Sequence, residues 1–318
     1  MNNREKISII MPAYNAQKYI KEAIDCILSQ TYDNIELIIA DDGSTDNTKS
    51  IINSYNDKRI VCSHNDSNQG ITATVNRLIK LATGDYITIH AADDISVNNR
   101  FELLINKFKS DSNLGMVGSW AEIVAENGDF IDFDKRVETD DEIKKELKNK
   151  SAFCGATVMV TREVIEDVGG YRDYFENLGY QDYDWTYMIS DKYKVYNIQK
   201  PLYKYRQVPH SRAHRVDPKR VISDKLVKFL AKQREENGGI DCLMEGKDYI
   251  VNDYMNKLLT PYNNDSSLIY REFAAASMYH KMYKKAIDLS IKAIMQKPTK
   301  IVNWRTLFYC LRKSLYER

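Results

Sequence analysis

The sequence predicts an α/β fold, a mostly parallel sheet flanked by helices, with an all-α region at the C-terminal end. In the first half of the chain, short apolar runs alternate with segments of helical periodicity. From about Lys219 onward only helical periodicity remains. With 318 residues, 43% of them hydrophobic, the chain can bury one large core or two smaller ones.

The predicted strands are residues 7–11, 35–40, 59–63, 86–90 and 116–125, and Pro12 is expected to end the first. Helices are predicted at residues 16–30, 71–82, 140–148 and 162–168, with one more that ends near Asn56 and a further helix after Arg100. Gly43 permits the turn after the second strand, and Ser44, Thr45 or Asp46 can cap the next helix. This alternation indicates parallel strands with helices on both faces of the sheet.

Polar clusters follow three of the predicted strands: Tyr14-Asn15, Asp41-Asp42 and Asp93-Asp94. In parallel sheets, ligands bind beyond the carboxyl ends of the strands, so we expect a functional site at this edge. The pair Asp93-Asp94 suits Mg²⁺ or Mn²⁺, which prefer oxygen ligands from carboxylates, phosphates and water. Capping of the following helix is the alternative for that pair.

The C-terminal region carries small and aromatic side chains at helical spacing over residues 267–295, followed by Pro298. This segment looks like one tetratricopeptide-type helical hairpin. A single hairpin cannot bury its own apolar face, so it must pack on the rest of the chain or on a second subunit. We place the domain boundary near Asp217-Pro218, which gives domains of residues 1–216 and 217–318.

The net charge of +1 hides an asymmetry along the chain. Residues 1–199 carry 22 Lys and Arg against 33 Asp and Glu, whereas residues 200–318 carry 24 against 12. The acidic first half argues against nucleic acid as a partner, because phosphate binding needs clustered cations. The basic second half could lie against anionic lipid or a charged acceptor, or it could be an ordinary solvated helical surface.

The longest apolar runs are far shorter than a bilayer span, and the N-terminal residues show no signal core. We therefore expect a cytoplasmic protein, with peripheral binding to the inner face of the membrane as an option. Five scattered cysteines without a Cys-x-x-Cys pair predict reduced thiols rather than a disulfide framework or a zinc site.

Several ordered motifs carry a family resemblance: SIIMPAYN (8–15), ELIIADDGSTD (36–46), NQG (68–70), ATGDYI (82–87), Asp93-Asp94, QDYDW (181–185) and YR (205–206). Together they resemble glycosyltransferase family 2 over residues 7–211. The resemblance implies a GT-A fold with a nucleotide-binding half, residues 1–100, and an acceptor half, residues 101–216. It also implies an inverting single displacement that moves a sugar from a UDP-sugar to a hydroxyl of a glycan or lipid-linked acceptor, assisted by Mn²⁺ or Mg²⁺.

The resemblance assigns roles to individual residues. Those implied to bind the UDP-sugar are Pro12, Ala13, Tyr14, Asn15, Asp42, Asn76, Ala92 and Asp93. Within this set, Tyr14 would pack near the base, Asp42 would bond the uracil, and Asn15, Asn76 and Asp93 would address the ribose and diphosphate. Asp94 would bind the metal. His210 would be a second metal ligand, with an exposed loop histidine as the alternative.

Asp182 would be the general base that removes the acceptor proton. Arg206 could grip the diphosphate or be an ordinary surface charge. Trp185 and Tyr183 could stack on acceptor sugars or pack in the core.

Two positions depart from the family pattern, because Ala91 and Gln181 stand where acidic residues are common. They leave open a different class of function, a catalytically weak or inactive subunit that binds another transferase. A Rossmann dehydrogenase is excluded because the first strand–helix turn lacks Gly-x-Gly-x-x-Gly. A membrane-embedded polysaccharide synthase is disfavoured by the lack of a bilayer-length apolar run. Bacterial capsule, lipopolysaccharide or glycoprotein assembly would all fit.

Overall fold

The computed structural model describes residues 5–208, 216–279 and 282–316. The chain divides into two compact units, residues 1–211 and 212–318. The predicted boundary between residues 216 and 217 adjoins a segment outside the described residues, so it stays a prediction. The division of the first domain into halves at residue 100 also stays a prediction.

Over residues 5–208, the first unit is built on one sheet of nine strands. They are β1 (Ile7–Ala13), β2 (Ile35–Asp41), β3 (Ile60–His64), β4 (Tyr86–Ile89), β5 (Ile95–Ser96), β6 (Leu114–Val124), β7 (Phe130–Asp134), β8 (Met159–Thr161) and β9 (Lys194–Arg206). Their order is β3-β2-β1-β4-β8-β6-β9-β5, with β7 paired to β6. Strands β1 to β4 are parallel, as are β6 and β9, and the remaining pairs are antiparallel.

Seven α-helices of the described residues belong to this unit. They are α1 (Ile20–Leu28), α2 (Thr48–Asn53), α3 (Ile71–Leu81), α4 (Arg100–Ser110), α5 (Asp140–Leu147), α6 (Arg162–Val168) and α7 (Gln181–Lys192). The predicted α/β sheet with flanking helices is confirmed. Helix α1 is shorter than predicted, because residues 16–19 form a turn in which the Tyr19 amide donates to the Ala16 carbonyl at 2.9 Å.

The prediction that Pro12 ends the first strand is wrong, because β1 continues through it to Ala13. The Ile10 carbonyl accepts from the His90 amide at 2.9 Å, so Ile10 and Pro12, two residues apart, face the β4 side of the strand. Strand β4 ends at Ile89, before it reaches Pro12. A missing N–H therefore costs no ladder hydrogen bond at this position.

Strands β7 and β9 had no clear signal in the sequence. Strand β9 reads KVYNIQKPLYKYR, which is neither continuously apolar nor free of proline. It still pairs in parallel with β6 along most of its length, with a register shift where Trp120 meets Pro201. The last residue of β9 is Arg206, which contacts Asp93 and Asp94.

The second unit is helical, as predicted. Its helices are α8 (Pro218–Glu236), α9 (Asp248–Asn264), α10 (Leu268–Tyr279), α11 (Tyr283–Gln296) and α12 (Ile301–Tyr316). The pair α10 and α11 spans the predicted hairpin, and α12 packs against α11. Within the three described ranges, no helix is both long and apolar enough to cross a bilayer.

The amino ends of β1, β2 and β4 meet at the buried carboxylate of Glu36. It accepts hydrogen bonds from Lys6 Nζ at 2.6 Å, from Ser8 Oγ at 2.5 Å, and from the Thr83 amide and hydroxyl at 2.6 and 2.9 Å. Burial alone would raise the pKa of Glu36, but these donors outweigh burial and lower the pKa to about 2. The cluster lies at the end of the sheet opposite the polar strand ends.

Replacing Glu36 with Gln should lower the free energy of unfolding by about 2 kcal/mol at neutral pH, because the folded state prefers the ionised carboxylate. The depressed pKa means that this stabilisation is complete above the unfolded pKa of about 4.5 and is lost as the pH falls towards about 2. Urea unfolding at several pH values should show the gap between wild type and variant narrowing in acid. As a control, Glu122→Gln removes a 3.7 Å surface ion pair with Lys204 and should have little effect.

Candidate active site

Asp42 organises the loop beyond β2 and β3. Its amide donates to the Ala13 carbonyl at 2.8 Å, which fixes it beside the end of β1. Its buried carboxylate accepts from Asn65 Nδ2 at 2.6 Å and from the amides of Gln69 and Gly70 at 2.9 and 3.1 Å. The carboxylate thus holds the loop of residues 65–70 over the end of the sheet. The predicted bond to uracil stays a prediction.

The turns after β1 and β2 brace each other. Asn15 adopts the left-handed conformation, with φ of 50°, and its amide donates to Ser44 Oγ at 2.9 Å. Its side-chain oxygen accepts from the Thr45 amide at 2.9 Å. Gly43 passes so close to the neighbouring loop that a Cβ would lie 2.5 Å from the Ser67 carbonyl carbon. Asn15 therefore has a structural role here, and its predicted contact with the donor is untested.

Tyr14 stands at the rim of this arrangement. Ala13 is buried, whereas the Tyr14 side chain is 48% exposed. An exposed aromatic ring at the carboxyl edge of a parallel sheet offers a flat apolar surface to a ligand. Pro12 and Ala13 lie in register with Ala40 and Asp41 of β2, directly below the rim.

Asp93 and Asp94 follow β4 at the same edge of the sheet. Asp94 is buried, and one of its carboxylate oxygens accepts from the Arg206 amide at 2.7 Å. The other oxygen is buried and has no hydrogen-bond partner among the residues that the structure describes. Burial, reinforced by the neighbouring Asp93 carboxylate, raises the pKa of Asp94 to about 8. Burial also raises the pKa of Asp93. Ala92, between them and β4, is buried.

The Arg206 side chain holds this acidic pair in place. Its guanidinium donates to the Asp93 carbonyl at 2.9 Å, to the Glu126 carbonyl at 2.8 Å and to the Glu22 carboxylate at 2.6 Å. The Tyr19 ring lies 5.2 Å from the guanidinium carbon. Arg206 is 6% exposed, so it is not an ordinary surface charge. Its guanidinium is also not free to bind a diphosphate, because it already bonds to Asp93, Glu126 and Glu22.

A buried polar layer that the sequence did not reveal lies beneath the acidic pair. Arg100 is fully buried and donates to Ser96 Oγ, Thr88 Oγ1 and the Ala156 carbonyl at 2.8, 3.0 and 3.2 Å. Its guanidinium carbon lies 4.9 Å from the centre of the Tyr203 ring. Because Thr88, Ser96 and Tyr203 belong to β4, β5 and β9, Arg100 joins the strands that carry Asp93-Asp94 and Arg206.

His90 belongs to the same layer. Burial and the nearby Arg100 lower the pKa of His90 to about 3, so its ring is neutral at physiological pH. Its Nδ1 lies 2.8 Å from the Ala91 carbonyl, which can only accept, so this nitrogen carries the proton. His90 thus stabilises the backbone leading into Asp93-Asp94.

Asp182 is the second residue of α7. The turn before the helix places Tyr180 in the left-handed conformation, with φ of 65°. One carboxylate oxygen accepts from the Tyr183 amide at 2.9 Å. The other faces Gly155, where a Cβ would lie 2.3 Å from it. Any larger residue at Gly155 would displace the Asp182 side chain.

Acids from both parts of the site act electrostatically on Tyr205. Burial raises the pKa of Tyr205, and Asp94, Asp93 and Asp182 each raise it further. Burial likewise raises the pKa of Cys154 to about 12, with contributions from Asp94 and Asp182 among others. The charges of Asp93, Asp94 and Asp182 therefore all act on Tyr205, and those of Asp94 and Asp182 also act on Cys154.

Helix α3 is tied to the segment that precedes α7. Asn76 accepts from the Tyr171 amide at 2.8 Å and donates to the Tyr171 carbonyl at 2.7 Å. Glu176 accepts from the amides of Ile71 and Thr72, in the first turn of α3, at 3.1 and 2.6 Å. The Asn76 side chain bonds to Tyr171 through both its oxygen and its nitrogen, and its predicted contact with ribose or diphosphate stays a prediction.

The aromatic residues beside Asp182 pack in the core. Trp185 and Tyr183 are 2% and 1% exposed. The Trp185 indole donates to the Gly169 carbonyl at 2.9 Å, and the Tyr183 hydroxyl donates to the Leu147 carbonyl. Core packing, rather than stacking on an acceptor sugar, is therefore correct for both residues.

The acidic pair fits a divalent cation in its donor chemistry. The unpartnered oxygen of Asp94, beside the Asp93 carboxylate, is the kind of hard ligand that Mg²⁺ and Mn²⁺ prefer. Within the described ranges, no three His, Cys, Asp or Glu side chains form a complete metal site. His210, the second predicted ligand, lies outside the described residues.

Residues 8–169 match the family described as Glycosyl transferase family 2. A Bacillus subtilis protein named as glycosyltransferase EpsE is 31% identical over 211 residues, which cover 65% of this chain and 75% of that one. The Escherichia coli UDP-Glc:alpha-D-GlcNAc-diphosphoundecaprenol beta-1,3-glucosyltransferase WfgD is 34% identical over 162 residues, covering 50% and 61%.

A solved structure shows the same fold at low sequence identity. It is residues 1–349 of Staphylococcus aureus TarS in complex with UDP-GlcNAc, which matches with a TM-score of 0.61 and 17% identity over 97% of this chain and 88% of that one. The matched sequence, the sheet and the acidic residues at its strand ends all indicate the same family. The chain belongs to glycosyltransferase family 2 and has a GT-A-like fold followed by a helical C-terminal region.

Proposed function

We propose that this glycosyltransferase moves a sugar from a UDP-sugar to a hydroxyl of a glycan or lipid-linked acceptor, by an inverting single displacement assisted by a divalent metal. The observation that carries the proposal is that Gly155 lies against the Asp182 carboxylate while the adjoining Ala156 carbonyl accepts from Arg100 beneath the acidic pair, and that the charges of Asp93, Asp94 and Asp182 all act on Tyr205. These carboxylates come from the loop after β4 and from the start of α7. The role would lie in bacterial surface polysaccharide or glycoconjugate assembly.

Two similar proteins support a UDP-sugar as donor. WfgD is named for a UDP-Glc donor and a diphosphoundecaprenol-linked acceptor, and the matched TarS structure contains UDP-GlcNAc. In this chain, the exposed Tyr14 ring would pack on the uracil. The loop of residues 65–70, held by Asp42, would close the side of the base pocket.

Asp94 and Asp93 would hold the metal together with diphosphate oxygens and water. A bound divalent cation neutralises the charge of a departing diphosphate. The protein contributes by holding these two acids in position. Arg206 fixes the Asp94 carboxylate through its amide and the Asp93 backbone carbonyl through its guanidinium, so the loop that carries both acids is held before a charged donor arrives.

Asp182 would accept the proton of the acceptor hydroxyl. As that oxygen bonds to the anomeric carbon, the bond from this carbon to the phosphate oxygen breaks, and its electron pair leaves with UDP. The Asp182 carboxylate accepts from the Tyr183 amide and lies in the first turn of α7, where the helix dipole is positive. Beside it, Gln181 carries a buried side-chain oxygen without a described hydrogen-bond partner, which could accept from a second sugar hydroxyl.

The alternative is a catalytically weak or inactive subunit, which Ala91 and Gln181 keep open. The two functions differ in a simple assay without acceptor. A catalyst should slowly hydrolyse one member of a UDP-sugar panel with Mn²⁺ and stop with EDTA, whereas an inactive subunit should release no UDP from any of them.

Asp182→Asn should reduce turnover by roughly 10²–10⁴-fold, because the amide cannot take the acceptor proton. The affinity for UDP, measured by calorimetry with Mn²⁺, should stay within about threefold, since Asp182 would not touch the nucleotide. Asp191→Asn, at the other end of the same helix, is the matched control. An equal loss of UDP binding and turnover would contradict the role of general base.

Asp94→Asn should weaken Mn²⁺-dependent UDP binding about tenfold or more. Without metal, its thermal midpoint should equal or exceed that of the wild type, because the substitution retains an acceptor for Arg206 and removes an acid whose burial disfavours ionisation. Thermal unfolding with and without Mn²⁺ and UDP measures both effects. Asp85→Asn, before the amino end of β4, should keep the full ligand-induced shift; an unchanged shift in Asp94→Asn would rule out Asp94 as a ligand.

Glu176→Gln should raise the KM for the UDP-sugar about fivefold while kcat changes less than about twofold. The neutral side chain can accept from only one of the two α3 amides, and this loosens the loop that Asp42 also holds. Steady-state kinetics separate the two constants. A fall in kcat at constant KM would instead place Glu176 in the chemical step.

A further inference from the structure

Helix α12 exposes a continuous apolar stripe. Five side chains recur at alternating three- and four-residue spacing, which puts them on one face of the helix: Ile301, Trp304, Phe308, Leu311 and Leu315. Each is between 38% and 75% exposed. A contiguous row of large apolar side chains on a helix surface marks an interaction site, unlike single exposed residues.

The opposite face of α12 is anchored by polar contacts. The Asn303 amide donates to the carbonyls of Ala293 and Lys297 at 2.9 and 2.8 Å and accepts from Arg271 at 2.7 Å. Cys310 is buried, with its sulfur 3.4 Å from Ser290 Oγ. These contacts fix the rotation of the helix, so the helix cannot bury the stripe within its own unit by turning about its axis.

Positive charge borders the stripe. Arg305 and Arg312 lie seven residues apart on the edge of the apolar face, and α12 contains no Asp or Glu. Residues 282–316 as a whole carry eight Lys and Arg against one Asp. Arg305 and Lys313 also line a cavity of about 870 Å³ between α10, α11 and α12, which gives an anionic head group room beside them.

We propose that α12 binds the surface of an anionic phospholipid membrane, with its stripe in the acyl boundary and its arginines at the phosphates. A helix with Trp, Phe and Leu on one face and Lys or Arg at its edges has the composition of an interfacial membrane-binding helix. Anionic head groups supply the counter-charge that the helix lacks. The purpose of this contact rests on the proposed function, since a lipid-linked acceptor would lie in that membrane.

A second copy of the chain is the less favourable occupant. If two α12 stripes packed together, each would bring its own Arg305 and Arg312 to the border of the interface. Paired helices are normally stabilised by opposite charges at these flanking positions. Because α12 offers no acid, the flanking charges would repel, whereas an anionic surface attracts all of them.

Co-sedimentation of the full chain with vesicles tests the proposal. One set contains phosphatidylglycerol mixed with phosphatidylcholine, and the other contains phosphatidylcholine alone. We expect binding to the anionic set only. Arg305→Gln/Arg312→Gln and, separately, Phe308→Ser/Leu315→Ser should each reduce that binding about tenfold.

A charge-matched control is Lys232→Gln/Lys257→Gln, which removes the same charge from exposed sites on α8 and α9 and should change binding less than about twofold. Circular dichroism checks that every variant is folded. Equal binding to both vesicle sets, binding that neither α12 variant weakens, or no binding would overturn the proposal. So would a wild-type dimer in light scattering that Phe308→Ser/Leu315→Ser converts to a monomer, because a second copy would then cover the stripe.

Release of UDP in solution, without lipid or acceptor, is measured in parallel. Both α12 variants should retain the wild-type rate, because the residues proposed to bind the donor or to act in catalysis are at other positions of the chain. Loss of vesicle binding with intact UDP release would reject the membrane surface alone. Intact vesicle binding without UDP release from the wild type would reject the proposed function alone.

Discussion

The site depends on keeping Asp94 buried at the end of a strand, with the partly buried Asp93 beside it. Burial of an acid without full pairing is unfavourable, as the raised pKa of Asp94 shows. The fold compensates with Arg206, whose amide donates to the Asp94 carboxylate and whose guanidinium donates to the Asp93 backbone carbonyl. Arg206 is in turn held by Glu22 and the Glu126 carbonyl, so α1 and the segment after β6 both support the acidic pair.

The same constraint explains the polar layer under the site. Arg100 and His90 are buried among strands that would otherwise be apolar, and both bond to backbone or side-chain oxygen near the acidic loop. A neutral His90 adds no second positive charge beside Arg100. The buried Arg100 therefore supports the loop of Asp93 and Asp94 from the polar layer beneath it, and Arg206 contacts that loop directly.

The sequence was sufficient for the parallel first half of the sheet and for the edge where the acids gather, because continuous apolar runs and strand-end aspartates are local signals. It was insufficient for β9, whose sequence contains Pro201 and whose pairing with β6 is a long-range contact. For the same reason the role of Arg206 could not be predicted, since its partner Glu22 lies 184 residues away. Asn15 and Asn76 show a further limit of prediction from sequence, because a polar side chain in a motif can hydrogen-bond to the backbone as readily as to a ligand.

The Glu36 cluster and the acidic pair occupy opposite ends of the same strands, and this has a consequence for how such an enzyme can diversify. Loops at the carboxyl end can change length and composition to suit a new sugar while the amino end keeps the strands in register. New donor or acceptor preferences can then accumulate without eroding the scaffold, provided that Arg206 and its partners are retained.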